Sequence, residues 1–252
     1  MKLSAAIITF NEERNIRRCL ESLHGIADEI VVVDSFSTDS TADICQEFGV
    51  VFIRNAFGGH IQQKNFALDK TSHELILSLD ADEALDEKLK QQILEVKKNP
   101  KHEGYHMNRL TNYCGHWVKH CGWYPDTKLR LVKRGKAHWM GVNPHDRLEL
   151  SEKDSTGFLE GDILHYSYYT REDHLRQIEY FGDIASKELF QRGMKTNRII
   201  ILSKVVAQFI KSYFLKRGFL DGSTGFTISR LSAYATWRKY TKLIELWRKE
   251  KA

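Results

Sequence analysis

Residues Leu75 to Glu83 read LILSLDADE. The first five side chains leave no polar face, the pattern of a strand covered on both sides in a parallel sheet. The run then stops at Asp80-Ala81-Asp82-Glu83. In an open α/β sheet, ligands bind beyond the carboxyl ends of the strands. Carboxylates two residues apart in extended backbone can face the same side. Like charges so close are costly unless a cation or protons intervene. A hard divalent ion, Mg²⁺ or Mn²⁺, suits such a pair, because one or two carboxylates hold it and phosphate oxygens and water complete its shell. The competing reading is that these acids cap the next helix.

Working outward, three more strands are predicted at Ser4–Thr9 (SAAIIT), Glu29–Asp34 (EIVVVD) and Val50–Arg54 (VVFIR). Helices are predicted between them from Ile16, Leu20 and Leu23, from Thr41, Ile44, Cys45 and Phe48, and over about Ile61–Lys70. A further stripe, Leu85, Leu89, Ile93 and Val96, predicts a helix after the acids. Apolar strands separated by helices imply a parallel, doubly wound α/β sheet. Three strand ends then bring polar groups to one edge: Thr9-Phe10-Asn11-Glu12, Asp34-Ser35 and the Asp80 cluster. Residues 103–169, rich in Trp, Tyr, His and Gly, predict a sheet extension with long loops, with strand pieces at Gly104–Leu110 and Lys128–Val132. The last third reads as helical. One stripe is Val205, Val206, Phe209, Ile210, Tyr213 and Phe214; a second is Trp237, Tyr240, Ile244 and Trp247.

Composition narrows the class. With 42% hydrophobic and 28% charged residues, the chain is neither collagen-like, low-complexity nor largely disordered. No apolar run reaches the roughly 18–20 residues of a spanning helix; the nearest, Ile199 to Leu215, is interrupted by Lys204 and Lys211. The opening MKLSAAIITFNEE reads as a strand and not as a signal peptide. Four cysteines (Cys19, Cys45, Cys114, Cys121) are expected as free thiols in a reducing compartment. From Lys204 onward, eleven Lys and Arg face three Asp and Glu, so the tail is expected to meet something anionic: a phospholipid surface, a phosphorylated lipid acceptor or nucleic acid. A solvated helical face is the plainer reading.

Neither G-x-G-x-x-G nor G-x-x-x-x-G-K-[ST] occurs, so no glycine-rich phosphate cradle is predicted. Gly58-Gly59 with Lys64 in GGHIQQKN offers a phosphate approach or a simple turn with a surface lysine. Cys114, His116, His120 and Cys121 have zinc-type side chains at unsuitable spacing.

TFNEERNIRRCLESL, EIVVVDSFSTDST, QKNFAL and LSLDADE resemble the nucleotide-sugar-binding half of glycosyltransferase family 2, with the GT-A fold. GWYPDTKLRLVKR, VNPHDRL, LHYSY and FLDGSTGF are similar to bacterial members that add glucose or a related sugar to the lipopolysaccharide inner core. The resemblance implies a mixed, mostly parallel Rossmann-like sheet flanked by helices with a helical C-terminal extension. It implies a catalytic domain at residues 1–170, split into a nucleotide-sugar half (1–100) and an acceptor half (101–170), and an extension at 171–252 facing membrane or acceptor.

The resemblance also implies roles. Thr9, Asn11 and Glu12 line the nucleoside pocket, Asp34 accepts from uracil or ribose, and Asp80 and Ala81 border the ribose, with Lys64 as a phosphate contact. Asp82 ligates the metal with Asp80, and His165 is a candidate third ligand or a packed core histidine. Inversion needs a base but no covalent nucleophile. Asp146 is the expected base, with His145 orienting it or contacting metal or phosphate; Asp126 is the runner-up, and a loop salt bridge with Arg147 is the plain alternative. Arg130 reads as structural or phosphate-facing. The expected activity is metal-dependent hexosyl transfer, glucose from UDP-glucose, to a lipopolysaccharide-core or related glycolipid acceptor, at the cytoplasmic face of the inner membrane in peripheral contact with it. Sugar transfer to a polyprenyl phosphate is a rival, as is a nucleic-acid-binding protein with a basic tail. A nucleotidyltransferase lacks its glycine- and arginine-rich opening loop.

Overall fold

The computed structural model describes residues 1–142, 145–150 and 155–251, with side chains apart from those of residues 142, 145 and 251. It divides into two compact units, residues 1–110 with 126–166 and residues 111–125 with 167–252.

The first unit opens with the expected alternation. Strands β1 (Leu3–Thr9), β2 (Glu29–Asp34), β3 (Val51–Arg54) and β4 (Leu75–Asp80) are separated by helices α1 (Ile16–Ser22), α2 (Thr41–Glu47) and α3 (His60–Asp69). They pair in the order β3-β2-β1-β4, all parallel. Register sets their ends side by side: Thr9 lies opposite Asp34, and Ile8 opposite both Val33 and Asp80. β1, β2 and β4 are buried on both faces, so their side chains feed two cores. One contains Ile7, Leu20, Val32, Leu77 and Ile93; the other contains Ala6, Val33, Ala67, Ile76 and Trp139. Each Leu or Ile so placed gains about 1.5–3 kcal/mol over exposure, which fixes the register of these strands.

After β4 the chain differs from the sequence reading in one respect. Leu85 does not begin the helical stripe. It ends a three-residue strand, β5 (Glu83–Leu85), and α4 (Glu87–Lys98) starts after Asp86, whose Oδ1 accepts from Leu89 N at 2.7 Å. β5 pairs antiparallel with a later strand, and that long-range pairing overrides the local periodicity.

The remaining strands are β6 (Gly104–Tyr113), β7 (His116–Trp117), β8 (Asp126–Lys133), β9 (Ala137–Val142), β10 (His145–Leu150) and β11 (Thr156–Tyr168). The region holds more strand and less loop than its composition predicts. The sheet continues β4-β8-β6-β11-β5, with β4–β8, β8–β6 and β11–β5 antiparallel. Only Ala81 and Asp82 separate β4 from β5, yet β5 closes the far end of this order. The sheet therefore curls back on the end of β4. The architecture is a mixed sheet flanked by helices, as expected. β9 and β10 form a separate hairpin, tied to α3 where Asn65 Nδ2 donates to Trp139 O and accepts Trp139 N at Oδ1.

The second unit contains the end of β6, β7, the end of β11 and three helices: α5 (Arg171–Gln191), α6 (Arg198–Ile210) and α7 (Gly222–Lys251). Thr170 caps α5 reciprocally with Asp173. A π-helical turn (Lys211–Leu215) and a 3₁₀ turn (Gly218–Asp221) link α6 to α7. Tyr113, Val118, Ile178, Ile228 and Leu231 form its core. Among the described residues no helix is long and apolar enough to cross a membrane.

Candidate active site

The ends of β1 and β2 are laced into one loop pair. Asn11 has a left-handed φ of 52°, which its short amide tolerates. Its N–H donates to Ser37 Oγ at 2.8 Å, and its Oδ1 accepts from Thr38 N at 2.8 Å. Glu12 N donates to Thr41 Oγ1 at 2.8 Å. Asp34 is fully buried, and both of its oxygens accept from Ser37, one from the backbone N–H at 2.9 Å and one from the hydroxyl. Thr9 is buried, and its Oγ1 has no hydrogen-bond partner among the described residues.

The end of β4 gathers the strongest charges. Asp80 N donates to Glu83 Oε2 at 2.9 Å, which closes the Asp80–Glu83 turn. Glu83 Oε1 accepts from Arg130 Nη2 at 2.9 Å and lies 3.4 Å from Arg109 Nη1. Lys64 Nζ is 3.1 Å from Asp80 Oδ1 and 2.8 Å from Asp146 Oδ2. Arg130 Nη2 is 3.4 Å from Asp80 Oδ2. Lys64, Glu83 and Arg130 are all buried. Ions so placed lose hydration and persist only when partnered. Trp139 adds its ring face, with Lys64 Nζ 4.2 Å and Arg130 Cζ 5.1 Å from the centroid. Burial opposes ionisation of Asp80, but Lys64 and Arg130 outweigh it and hold the carboxyl below the ordinary carboxylate range.

Asp82 faces different company. His165 Nε2 lies 3.1 Å from Asp82 Oδ2. Burial raises the pKa of Asp82, but the charge and hydrogen bond of His165 bring it below normal. Tyr166 N donates to Asp82 O at 2.9 Å, and Arg18 Cζ lies 3.7 Å from the Tyr166 centroid. Across the site, Glu12 is pushed up to about 7, first by burial, then by the charge of Asp82, with Asp39 and Asp80 adding; the hydrogen bond from Asn15 only partly offsets this.

The structure thus joins Lys64, Asp80, Asp146 and Arg130 in one network and pairs Asp82 with His165. Asp126 joins the network at its margin through Arg109, opposite it in the β6–β8 register and ion-paired to it at 2.8 Å, and it also pairs with Lys128 at 2.9 Å. Arg109 and Lys128 overcome burial and lower its pKa. The side chain of His145 lies outside the described residues. The zinc-type side chains separate: Cys121 is buried against Ser229, whereas His116 and His120 both approach Asp221 Oδ1, at 3.6 and 2.9 Å.

Sequence reasoning missed Glu83, Arg109 and Trp139 as site residues. Glu83 stood in the LSLDADE motif and signalled itself. Arg109 and Trp139 carried no local signal, since only the curled sheet and the β9–β10 hairpin bring them in.

Asp80 and Asp82, with His165 beside Asp82, are the residues that could hold a divalent cation. Lys64 Nζ already lies 3.1 Å from Asp80 Oδ1, and burial, then the charge of Asp82, pushes the Glu12 carboxyl up to about 7. Among the described residues no three His, Cys, Asp or Glu side chains form a metal-holding group by themselves. An ion here would draw on substrate oxygens, as Mg²⁺ sites commonly do.

Comparison with known proteins gives a consistent picture. The family described as Glycosyl transferase family 2 matches residues 4–147. An uncharacterized glycosyltransferase of Rickettsia typhi is 29% identical over 97% of this chain and 87% of its own length. The lipopolysaccharide core biosynthesis glycosyltransferase LpsC of Rhizobium meliloti is 26% identical over 95% of this chain and 93% of its own. Among solved structures, S. aureus TarS 1-349 in complex with UDP-GlcNAc aligns with a TM-score of 0.48 and 14% identity, over 99% of this chain and 92% of that one. Glucosyl-3-phosphoglycerate synthase from Mycobacterium tuberculosis, in complex with Mn²⁺ and UDP-glucose, aligns with a TM-score of 0.37 and 18% identity over 44% of each chain.

Proposed function

The chain belongs to glycosyltransferase family 2, and from that membership we propose that it transfers a hexose, glucose from UDP-glucose, with inversion to a lipopolysaccharide-core or related glycolipid acceptor. The observation that carries this reading is the register of three strand ends, Thr9 beside Asp34 and Ile8 beside Asp80, which brings the polar ends to one edge. The similarity to a lipopolysaccharide-core transferase supports the acceptor class. In this reading residues 1–100 bind the donor, 101–170 the acceptor, and 171–252 face acceptor or membrane on the cytoplasmic side.

Thr9, Asn11, Glu12 and Asp34 border the nucleoside. Asp82, with Asp80 and His165, would hold Mg²⁺ or Mn²⁺, which supplies charge neutralisation to the departing diphosphate. Lys64 and Arg130 are fixed cations on the same side and add to that stabilisation. Asp146 takes the proton from the acceptor hydroxyl. The acceptor oxygen forms its bond to the anomeric carbon as the bond to the diphosphate oxygen breaks, and UDP leaves with the electron pair. Lys64 Nζ, 2.8 Å from Asp146 Oδ2, holds the carboxylate in place.

Calorimetric titration with UDP in the presence of Mn²⁺ tests the reading. Binding that Asp82→Asn abolishes is expected. Absence of heat with the wild-type chain and metal present overturns it.

A further inference from the structure

Helix α6 is largely apolar, with Arg198, Ser203, Lys204 and Gln208 as its polar residues, and one side packs on its own chain. Ile201 faces inward and is 4% exposed. On the opposite side Ile199, Leu202, Val206 and Ile210 recur at i, i+3, i+7 and i+11, one row along the helix. Ile199 is 81% and Leu202 65% exposed. The turns that follow extend the surface: Phe214 is 55% and Leu215 73% exposed, and Phe219 and Phe226 are half-exposed. Ring contacts join these pieces, with Phe209 5.9 Å and Tyr213 5.8 Å from Phe226. A large contiguous apolar surface is ordinarily covered by protein or lipid. This one is not buried by its own chain, and it cannot span.

Charge identifies what covers it. Between Glu188 and Glu245 the chain has eleven Lys and Arg and a single acid, Asp221; Arg192, Arg238 and Lys242 are ion-paired to Glu188, Glu179 and Asp183, outside that stretch, which leaves eight. Asp221 is buried and accepts from His120 N at 2.9 Å, so it does not offset the surface charge. Lys211, Lys216 and Arg217 follow the apolar row and are exposed, whereas Lys204 lies on the other side of the helix, 5.3 Å from the Tyr240 ring. A second copy of this face would bring the same positive charges together, which disfavours self-association. An anionic bilayer offers both an apolar interior and negative headgroups.

We propose that the outer row of α6 and the aromatic turns after it insert into the boundary between headgroups and acyl chains of an anionic phospholipid bilayer, with the flanking Lys and Arg on the phosphates. The surface takes in Val206, Ile210 and Phe214 of the first stripe read from the sequence; the second stripe, on α7, is occupied at one end. Trp247 Nε1 donates to Met194 O at 2.8 Å, and the Trp247 ring packs 4.6 Å from Phe190, so that end of the stripe is engaged in packing. The inference goes beyond sugar transfer and does not rest on it, since lipid binding is measured without sugar nucleotide.

Co-sedimentation of the full chain with vesicles of phosphatidylglycerol and phosphatidylcholine tests it. Binding is expected, and loss of at least about tenfold in partitioning is expected for the double substitution Leu202→Glu, Val206→Glu. Lys211→Gln is expected to weaken binding to the anionic vesicles about fivefold and to leave binding to phosphatidylcholine alone unchanged. Circular dichroism and the melting temperature check that the variants fold. A second measurement uses a polarity-sensitive fluorophore on Leu202→Cys in a Cys114→Ser background, where anionic vesicles should shift the emission to the blue. Failure of the wild-type chain to bind, equal binding by the double variant, or no emission shift overturns the proposal. So does a double variant that changes only the oligomeric state.

Discussion

Lys64 Nζ sits 2.8 Å from Asp146 Oδ2, across 82 positions of sequence. The same ammonium group touches Asp80, so one buried cation joins the end of β4 to the β9–β10 hairpin. Removing it leaves two shielded carboxylates facing each other. Lys64→Met keeps the length of the side chain and deletes the charge, and it is expected to cost about 3 kcal/mol or more. Urea unfolding at neutral pH measures this as a lower midpoint with an unchanged slope. Part of the loss should return at acid pH, as the carboxylates take up protons.

Asp146→Asn keeps the shape of the proposed base and removes its ability to accept a proton. Turnover of UDP-glucose, by transfer or by slow hydrolysis, should fall by about 10²–10⁴-fold. Affinity for UDP, read by calorimetry, should stay near that of the wild type. Full turnover in the variant rejects Asp146 as the base and directs attention to Asp126.

Glu12 gives a pH signature. Its carboxyl rises from an ordinary 4.5 to about 7 in the folded chain, chiefly through burial and the charge of Asp82. The folded state therefore holds an extra proton between these values. Its contribution to stability is fully present below 4.5 and is lost as pH rises through 7, by no more than about 3 kcal/mol. Chemical denaturation from pH 4.5 to 8 should show this decline, and Glu12→Gln should flatten it.

Strands whose both faces are buried announced themselves in the sequence. The limits of Glu29–Asp34 and Leu75–Asp80 were legible because apolar runs end abruptly at a carboxylate. β5 was not legible. It has three residues and stays a strand only because Glu83, Ala84 and Leu85 pair with His165, Leu164 and Ile163. The Asp-x-Asp pair was visible, but its partners were not. Arg130 and Lys64 lie 50 and 16 positions from Asp80, and no local pattern links them. The exposed apolar row of α6 was only half legible, since a largely apolar helix does not say in advance which side its own chain will cover.

The FLDGSTGF segment depends on a close approach that only glycine permits. A Cβ on Gly225 would fall 1.8 Å from Gly218 O and 2.8 Å from Gly218 C, both backbone atoms of the 3₁₀ turn. Gly218 has no room to retreat, because a Cβ there would already meet Cys121 Sγ at 2.8 Å and Ser212 O at 2.9 Å. The first turn of α7 therefore packs backbone to backbone on the turn before it. Gly225→Ala would gain in helix propensity by about 1 kcal/mol, yet the overlap has to be relieved by moving main chain, and forced overpacking costs about 1–3 kcal/mol and sometimes more. The overlap is deep enough for the cost to win. Gly225→Ala should lower the unfolding midpoint, whereas Gly58→Ala, whose added Cβ meets only Gln62 Cβ at an ordinary 3.8 Å, should not. Thermal denaturation of the two variants side by side decides it, and equal melting temperatures would refute the close-packing argument.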